Sequence, residues 1–192
     1  ILGITGGVGS GKSRVLEILK EEYGFRVIQA DQVAKDLMQP GQESYRAVVD
    51  FLGPSILNED GTINRPAMAQ VIFGCPDKRI QVDRLTHPLV WNTAFGEALA
   101  CPEPLVVIEA AIPSKEFRDN CGEMWYVYTS RENRMERLKT GRGYTREKTL
   151  SIMDNQASDE VFRSFCDSVI DNDKSLEETR MQIAALMRHI SP

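Results

Sequence analysis

The chain has 192 residues, enough for one core with elaborations but short for two full-sized domains. With 42% apolar and 27% charged residues it is composed like an ordinary globular protein, and no run reaches the about 18 apolar residues of a membrane span. A net charge of −5 argues against a nucleic-acid partner, and four cysteines without a C-x-x-C pair, beside only two histidines, argue against a zinc site, a redox pair or a disulfide framework.

In chain order, the apolar run Leu2 to Thr5 reads as a strand and leads into Gly6-Gly7-Val8-Gly9-Ser10-Gly11-Lys12-Ser13. Gly6, Gly11, Lys12 and Ser13 fit G-x-x-x-x-G-K-[ST], after a strand and before a helix, which is the context this phosphate-binding motif requires. Small residues let successive backbone N–H groups face a polyphosphate, the helix N-terminus adds its positive end, Lys12 reaches the terminal phosphates, and Ser13 ligates magnesium. The plainer alternative is a glycine-rich connection that happens to precede Lys-Ser. Val15, Leu16, Leu19 and Tyr23 recur at helical spacing, and Gly24 ends that helix.

The next strand, Arg26 to Ala30, is followed at once by Asp31, which should sit at the carboxyl end of the strand beside the phosphate loop, the sheet edge where ligands bind. A carboxylate there could take a proton from an attacking hydroxyl, or simply cap a helix starting at Gln32. From Asp36 to Pro102 the strand and helix alternation gives way to helical segments broken at Pro40, Glu59 and Gly74. Asp50 to Gly53 matches D-x-x-G, but it lies in this insertion and no N-K-x-D follows, which discounts a GTPase. The insertion also carries Arg65, Lys78, Arg79, Arg84 and His87, enough cationic and polar groups to meet a pyrophosphate-bearing acceptor.

Leu105 to Ala110 and Met124 to Thr129 read as strands. After them Arg131, Arg134 and Arg137 recur every third residue on one helical stripe, with Thr140 to Gly143 as the turn and Arg142 and Arg146 beyond it. Such a stripe is either a lid over transferring phosphate or a solvated face paired with Glu132, Glu136 and Glu147. Ser130 and Thr145 are candidate N-caps, Ser168 to Asp171 is the last strand, and Ser175 to Glu178 has capping-box spacing before a helix with Leu176, Ile183, Leu186, Met187 and Ile190 on one face. The fold class expected is α/β, a parallel sheet wrapped by helices.

Together GITGGVGSGKS, Asp31, LTHPLV with His87-Pro88, the arginine stretch with YTREKTLSIMDNQ, and the late DSVIDN resemble the dephospho-coenzyme A kinase family, from Gly3 to about Thr179. The resemblance implies a five-stranded parallel P-loop kinase core over residues 1–35, 103–130 and 160–192, a helical domain for the coenzyme A moiety over 36–102, and a lid over 131–159. It implies transfer of the ATP γ-phosphate to the ribose 3′-hydroxyl of dephospho-coenzyme A, with Mg2+, as the final step of coenzyme A synthesis. Carried onto this chain, Gly7, Val8, Gly9, Ser10, Gly11, Lys12, Ser13 and Arg14 hold ATP, with Ser13 as the magnesium ligand, Arg142 nearby and Asn172 close to the adenine. Asp31 is the catalytic carboxylate, Lys12 and the lid's Arg137 act on the transferring phosphate, and Lys35, Arg84 and His87 meet the acceptor, although His87 beside a proline could equally mark a helix boundary. Three positions depart from the family pattern: Gln29 stands for the first Asp of Asp-x-Asp, Lys115 precedes Glu116 where a Glu is usual, and Gly141 holds an arginine position with Arg142 displaced by one. A kinase for a nucleoside, a sugar acid or shikimate, and a nucleotide-dependent switch, are the other readings of the loop. No secretory start is visible, so the cytoplasm is the expected compartment and a monomer the expected state.

Overall fold

Strands covered on both faces read as nearly continuous apolar runs rather than as an alternation, and the central strands here are of that kind. The computed structural model describes residues 1–190. It runs β1 (Leu2–Thr5), α1 (Lys12–Tyr23), β2 (Arg26–Gln29), α2 (Ala30–Leu37), α3 (Glu43–Leu52), a 3-10 turn (Pro54–Ile56), α4 (Arg65–Phe73), α5 (Pro76–Ala100), β3 (Val106–Ala110), α6 (Lys115–Asp119), β4 (Glu123–Tyr128), α7 (Arg131–Arg142), α8 (Arg146–Asp154), α9 (Asp159–Phe165), β5 (Ser168–Asp171) and α10 (Leu176–Met187). The sheet has five strands in the order β2-β3-β1-β4-β5, and β1 runs parallel to both β3 and β4, as β4 does to β5.

That order corrects one expectation. The strand beside β1 on the Asp31 side is β3, not β2, because the chain returns from its long helical excursion to pair between them. In register Ile4 faces Glu109 and Thr5 faces Ala110, so β3 brings an acidic residue to the end of β1 from which the phosphate loop leaves.

The chain divides into two compact units, Ile1–Ile28 with the chain from Ala100 onward, and Gln29–Leu99. In the first, side chains alternate across the sheet. Leu2, Ile4, Val107, Trp125, Val127 and Ile170 on one face meet Val15, Leu16, Ile18 and Leu19 of α1 and Ile183 of α10, with Leu186, Met187 and Ile190 packed around them. Leu176, expected on that stripe, is instead exposed in the first turn of α10. On the opposite face Tyr126 stacks on Phe162 of α9 with ring centroids 4.9 Å apart, and its hydroxyl donates to Asp159 at 2.7 Å. Burial, followed by that carboxylate, raises the Tyr126 phenol well above its ordinary range, so it stays a donor.

In the second unit a smaller core of Val48, Ile56 and Val82 is wrapped by Met38, Val49, Leu52, Leu57, Met68, Val71 and Ile72. Helix α5 runs unbroken through Pro88, so His87 is not a helix boundary. Asp31 does not cap a helix at Gln32 either: α2 starts at Ala30 behind Gln29, with no side-chain cap, and Asp31 lies in its first turn. Likewise Thr140 to Arg142 are the last turn of α7, and the chain breaks only at Gly143, in the left-handed conformation. Ser130 and Thr145 cap α7 and α8 as their types suggest, and Ser175 with Glu178 closes the capping box of α10.

Gly3 lies in β1 where a methyl group would come 2.7 Å from Met124 Cγ and 2.9 Å from Cys121 Sγ. Gly3→Ala is therefore expected to lower unfolding free energy by about 1–3 kcal/mol, measured by urea denaturation; an unchanged midpoint would show that this face of the sheet is loosely packed.

Candidate active site

The loop from Gly6 to Gly11 is shaped by its own turn and by groups from far along the chain. Ser10 N–H donates to the Gly7 carbonyl at 3.1 Å, and α1 opens with Arg14 and Val15 N–H on the Gly11 carbonyl. The Gly9, Gly11 and Ser13 N–H groups donate to no acceptor among the described residues, as expected of amides at a helix start. Ser10 Oγ is buried and likewise unpartnered among the described residues. Several donors and the positive end of α1 thus share one curve of backbone, which fits a polyphosphate.

The Ser10 carbonyl is the anchor of this curve. It accepts from Thr129 Oγ1 at 2.9 Å, from the buried Asn172 Nδ2 at 2.8 Å and from Arg137 Nη1 at 3.4 Å. Arg137 also donates to Thr129 Oγ1 at 3.1 Å and to the Asn172 carbonyl at 2.7 Å, while Asn172 Oδ1 accepts from Thr179 in α10 at 2.9 Å. Thr129 and Asn172 stand just past the carboxyl ends of β4 and β5, and Arg137 on α7 bonds to both, so the sheet itself sets where the loop can lie. Gly11 follows from the same contacts. Its φ is 88°, in the left-handed region, and a methyl group there would overlap the Asn172 amide.

A second set of groups holds the outer part of the loop. Arg134 Nε donates to the Val8 carbonyl at 2.8 Å and Arg134 Nη2 to Gln156 Oε1 at 2.7 Å, while Val8 N–H donates to the same Gln156 oxygen at 3.1 Å. A methyl group on Gly7 would collide with the Arg134 guanidinium. Burial lowers the guanidinium pKa from its ordinary value, in part offset by Tyr126 and Asp159.

Lys12 Nζ donates to the Gly6 carbonyl at 2.7 Å and stands 3.6 Å from Glu109 Oε1. Glu109 is 6% exposed, an acid in a strand that is otherwise apolar. Alternation along β3 puts it on the face of Val107, the face covered by α1, whose first residue is Lys12. Among the described residues no group of three or more His, Cys, Asp or Glu could hold a metal. Ser13 is exposed in the first turn of α1, where a hydroxyl is the kind of single oxygen that could join a magnesium ion keeping most of its ligands from phosphate and water.

The other expected residues divide plainly. The Arg14 side chain is exposed and pairs with Glu17 at 2.8 Å, and Arg142 lies over the Tyr144 ring at 6.0 Å; among the described residues neither guanidinium hydrogen-bonds to the loop, which Arg14 meets only through its backbone N–H on the Gly11 carbonyl. In the second unit Asp31 and Lys35 line one cavity of about 870 Å³. Met38, Ile63, Met68 and Ile72 form its apolar wall and Arg65 and Arg79 add charge. Arg84 and His87 are exposed on α5 and do not line it; His87 Nε2 stands 3.8 Å from Asp83, which does. No role for Glu109 or Gln156 came from the sequence: Glu109 had a signal, the lone acid in a buried strand, and Gln156 stood only as the last residue of YTREKTLSIMDNQ.

The dephospho-CoA kinase family model matches residues 1–178. A dephospho-CoA kinase of Streptococcus mutans is 34% identical over 193 residues, covering 99% of this chain and 97% of the relative. Among solved structures, TT1252 from Thermus thermophilus superposes with a TM-score of 0.82 at 25% identity, covering 100% of this chain and 97% of the other. The dephospho-CoA kinase from Campylobacter jejuni superposes at 0.71 with 18% identity, over 99% of this chain and 96% of the other, a likeness of fold.

Removing the Asn172 amide takes one donor from the Ser10 carbonyl and one acceptor from Thr179. Asn172→Ala is expected to cost about 1–3 kcal/mol of stability and to weaken ADP binding, read by denaturation and calorimetry. Unchanged ADP affinity would mean that the loop keeps its shape without this brace.

Proposed function

Because the chain belongs to the dephospho-CoA kinase family, we propose that it transfers the γ-phosphate of ATP to the ribose 3′-hydroxyl of dephospho-coenzyme A, giving coenzyme A and ADP. The family match over residues 1–178 carries the reading, and the loop supplies the chemistry. Little covalent work falls to a protein in phosphoryl transfer; it positions the two oxygens and spreads the developing charge over fixed donors.

In this scheme the Gly7 to Ser13 backbone holds the ATP phosphates, with Lys12 moving from the Gly6 carbonyl to the terminal phosphate and Glu109 aligning its ammonium group. Bound Mg2+ would supply a fixed positive charge beside the phosphates, held by Ser13. Arg137 supports the loop through the Ser10 carbonyl and lends its charge to the transfer. Asn172 acts through the loop, since its side chain is engaged by Ser10 and Thr179. Asp31, in the first turn of α2 and two residues beyond β2, takes the proton of the acceptor hydroxyl.

Lys35, Arg65 and Arg79 suit the acceptor's pyrophosphate and the apolar wall its pantetheine arm. Arg84 and His87, exposed three residues apart on α5, meet parts of the acceptor outside the cavity, and Arg14 and Arg142 join the ATP phosphates from the periphery. The working division is a nucleotide core of residues 1–35, 103–130 and 160–192, an acceptor domain of 36–102 and a lid of 131–159. One chain supplies every group named, so a monomer suffices. The four free thiols suit a reducing cytoplasm. Among the described residues no helix is long and apolar enough to cross a membrane.

Turnover with dephospho-coenzyme A is expected to exceed that with shikimate, gluconate or nucleosides; ADP formation with one of those acceptors and none with dephospho-coenzyme A would overturn the assignment. Asp31→Asn should keep ADP binding and cut turnover by about 10²-fold or more, whereas Lys12→Ala should weaken both. Unchanged turnover in the first variant would remove Asp31 from the proton transfer.

A further inference from the structure

The Val8 peptide is held at both ends by two side chains that also hold each other. Its N–H donates to Gln156 Oε1, its carbonyl accepts from Arg134 Nε, and Arg134 Nη2 donates to that same Gln156 oxygen. The two partners lie 126 and 148 residues from Val8, one on α7 and the other just past α8. We infer that Gln156 and Arg134 are positioning residues for nucleotide binding: they fix the Val8 peptide and thereby the orientation of the phosphate-binding amides that follow it.

The physical reason is the softness of the segment. Gly7 and Gly9 flank Val8, and glycine costs more entropy to fix than any other residue. The Ser10 carbonyl is anchored from β4, β5 and α7, and Lys12 begins α1, so the downstream half of the loop is set by its surroundings. Upstream of Ser10 the turn has its own bond, Ser10 N–H to Gly7, the Lys12 ammonium group reaches the Gly6 and Gly7 carbonyls, and the Val8 peptide between them and Ser10 has the Gln156 and Arg134 contacts. Gly9 has a φ of 77°, a value that glycine holds without preference over its alternatives, so the peptide before it must be held from outside. Gln156 serves through its oxygen, which accepts both bonds; its Nε2 donates to nothing among the described residues. An acceptor at that place is the requirement, not an amide.

The inference rests on the loop holding ATP phosphates, and it is tested by ADP binding, which needs neither acceptor nor turnover. Gln156→Met keeps the length and removes the acceptor; Gln156→Glu keeps the acceptor oxygen. The Met variant is expected to bind ADP about tenfold more weakly and to raise the KM for ATP by a like factor, with the KM for dephospho-coenzyme A unmoved. The Glu variant should recover most of the loss. Arg134→Lys, which keeps the charge but cannot bridge Val8 and Gln156, should weaken ADP binding in the same direction, and its thermal unfolding and that of the Gln156 pair report folding separately. Wild-type affinity in the Met variant, or a Glu variant no better than Met, would overturn the inference. A wild-type protein that binds ADP tightly yet turns over no dephospho-coenzyme A would instead overturn the acceptor assignment and leave the Val8 brace standing.

Discussion

Everything in the nucleotide site depends on one backbone oxygen, the carbonyl of Ser10. A loop of glycines has too many conformations to present its amides in one direction, and its local bonds, the Ser10 to Gly7 turn and the Lys12 ammonium group on the Gly6 and Gly7 carbonyls, are too few to select among them. The Ser10 carbonyl draws donors from Thr129, Asn172 and Arg137, which belong to the ends of β4 and β5 and to α7. Each donor is in turn held by another partner, so the loop is tied to the rigid sheet rather than to itself. A buried network with its groups satisfied in this way rigidifies a site instead of weakening it.

The same ties account for the loop's composition more fully than phosphate binding alone does. Gly11 is needed because the Asn172 amide approaches its backbone, and Gly7 because the Arg134 guanidinium does. Glycine at these places lets the chain be approached from the protein side as well as from the ligand side. Lys12 shows the corresponding economy of charge: its ammonium group is held by loop carbonyls and the buried Glu109 on β3, so its orientation is set by the sheet.

What could be read from the chain alone followed the range of the interactions involved. Strands β1 and β5, the caps at Ser130, Thr145 and Ser175, and the phosphate motif are local patterns, and all are present as read. Expectations failed where a distant element intervened. β3 separates β2 from β1, so the carboxylate beside Lys12 is Glu109; Pro88 is absorbed within a continuous helix; and Asp31 enters a helical turn instead of capping it. The arginine stripe was visible, yet only the structure separates its members. Arg134 and Arg137 bond to the loop, while Arg131 pairs with Asp154 in α8. Gln156 closes the YTREKTLSIMDNQ stretch but carries no periodicity or charge that assigns it a role, and its place becomes evident only when the chain is folded.

The central claim is that this fixed loop delivers phosphate to one hydroxyl of one acceptor. Phosphorus NMR of the product formed from ATP, Mg2+ and dephospho-coenzyme A tests it most directly. The account predicts a new phosphomonoester on the ribose 3′ carbon, appearing in step with ADP. ADP accompanied by free inorganic phosphate, or a phosphomonoester on any other oxygen, would contradict it.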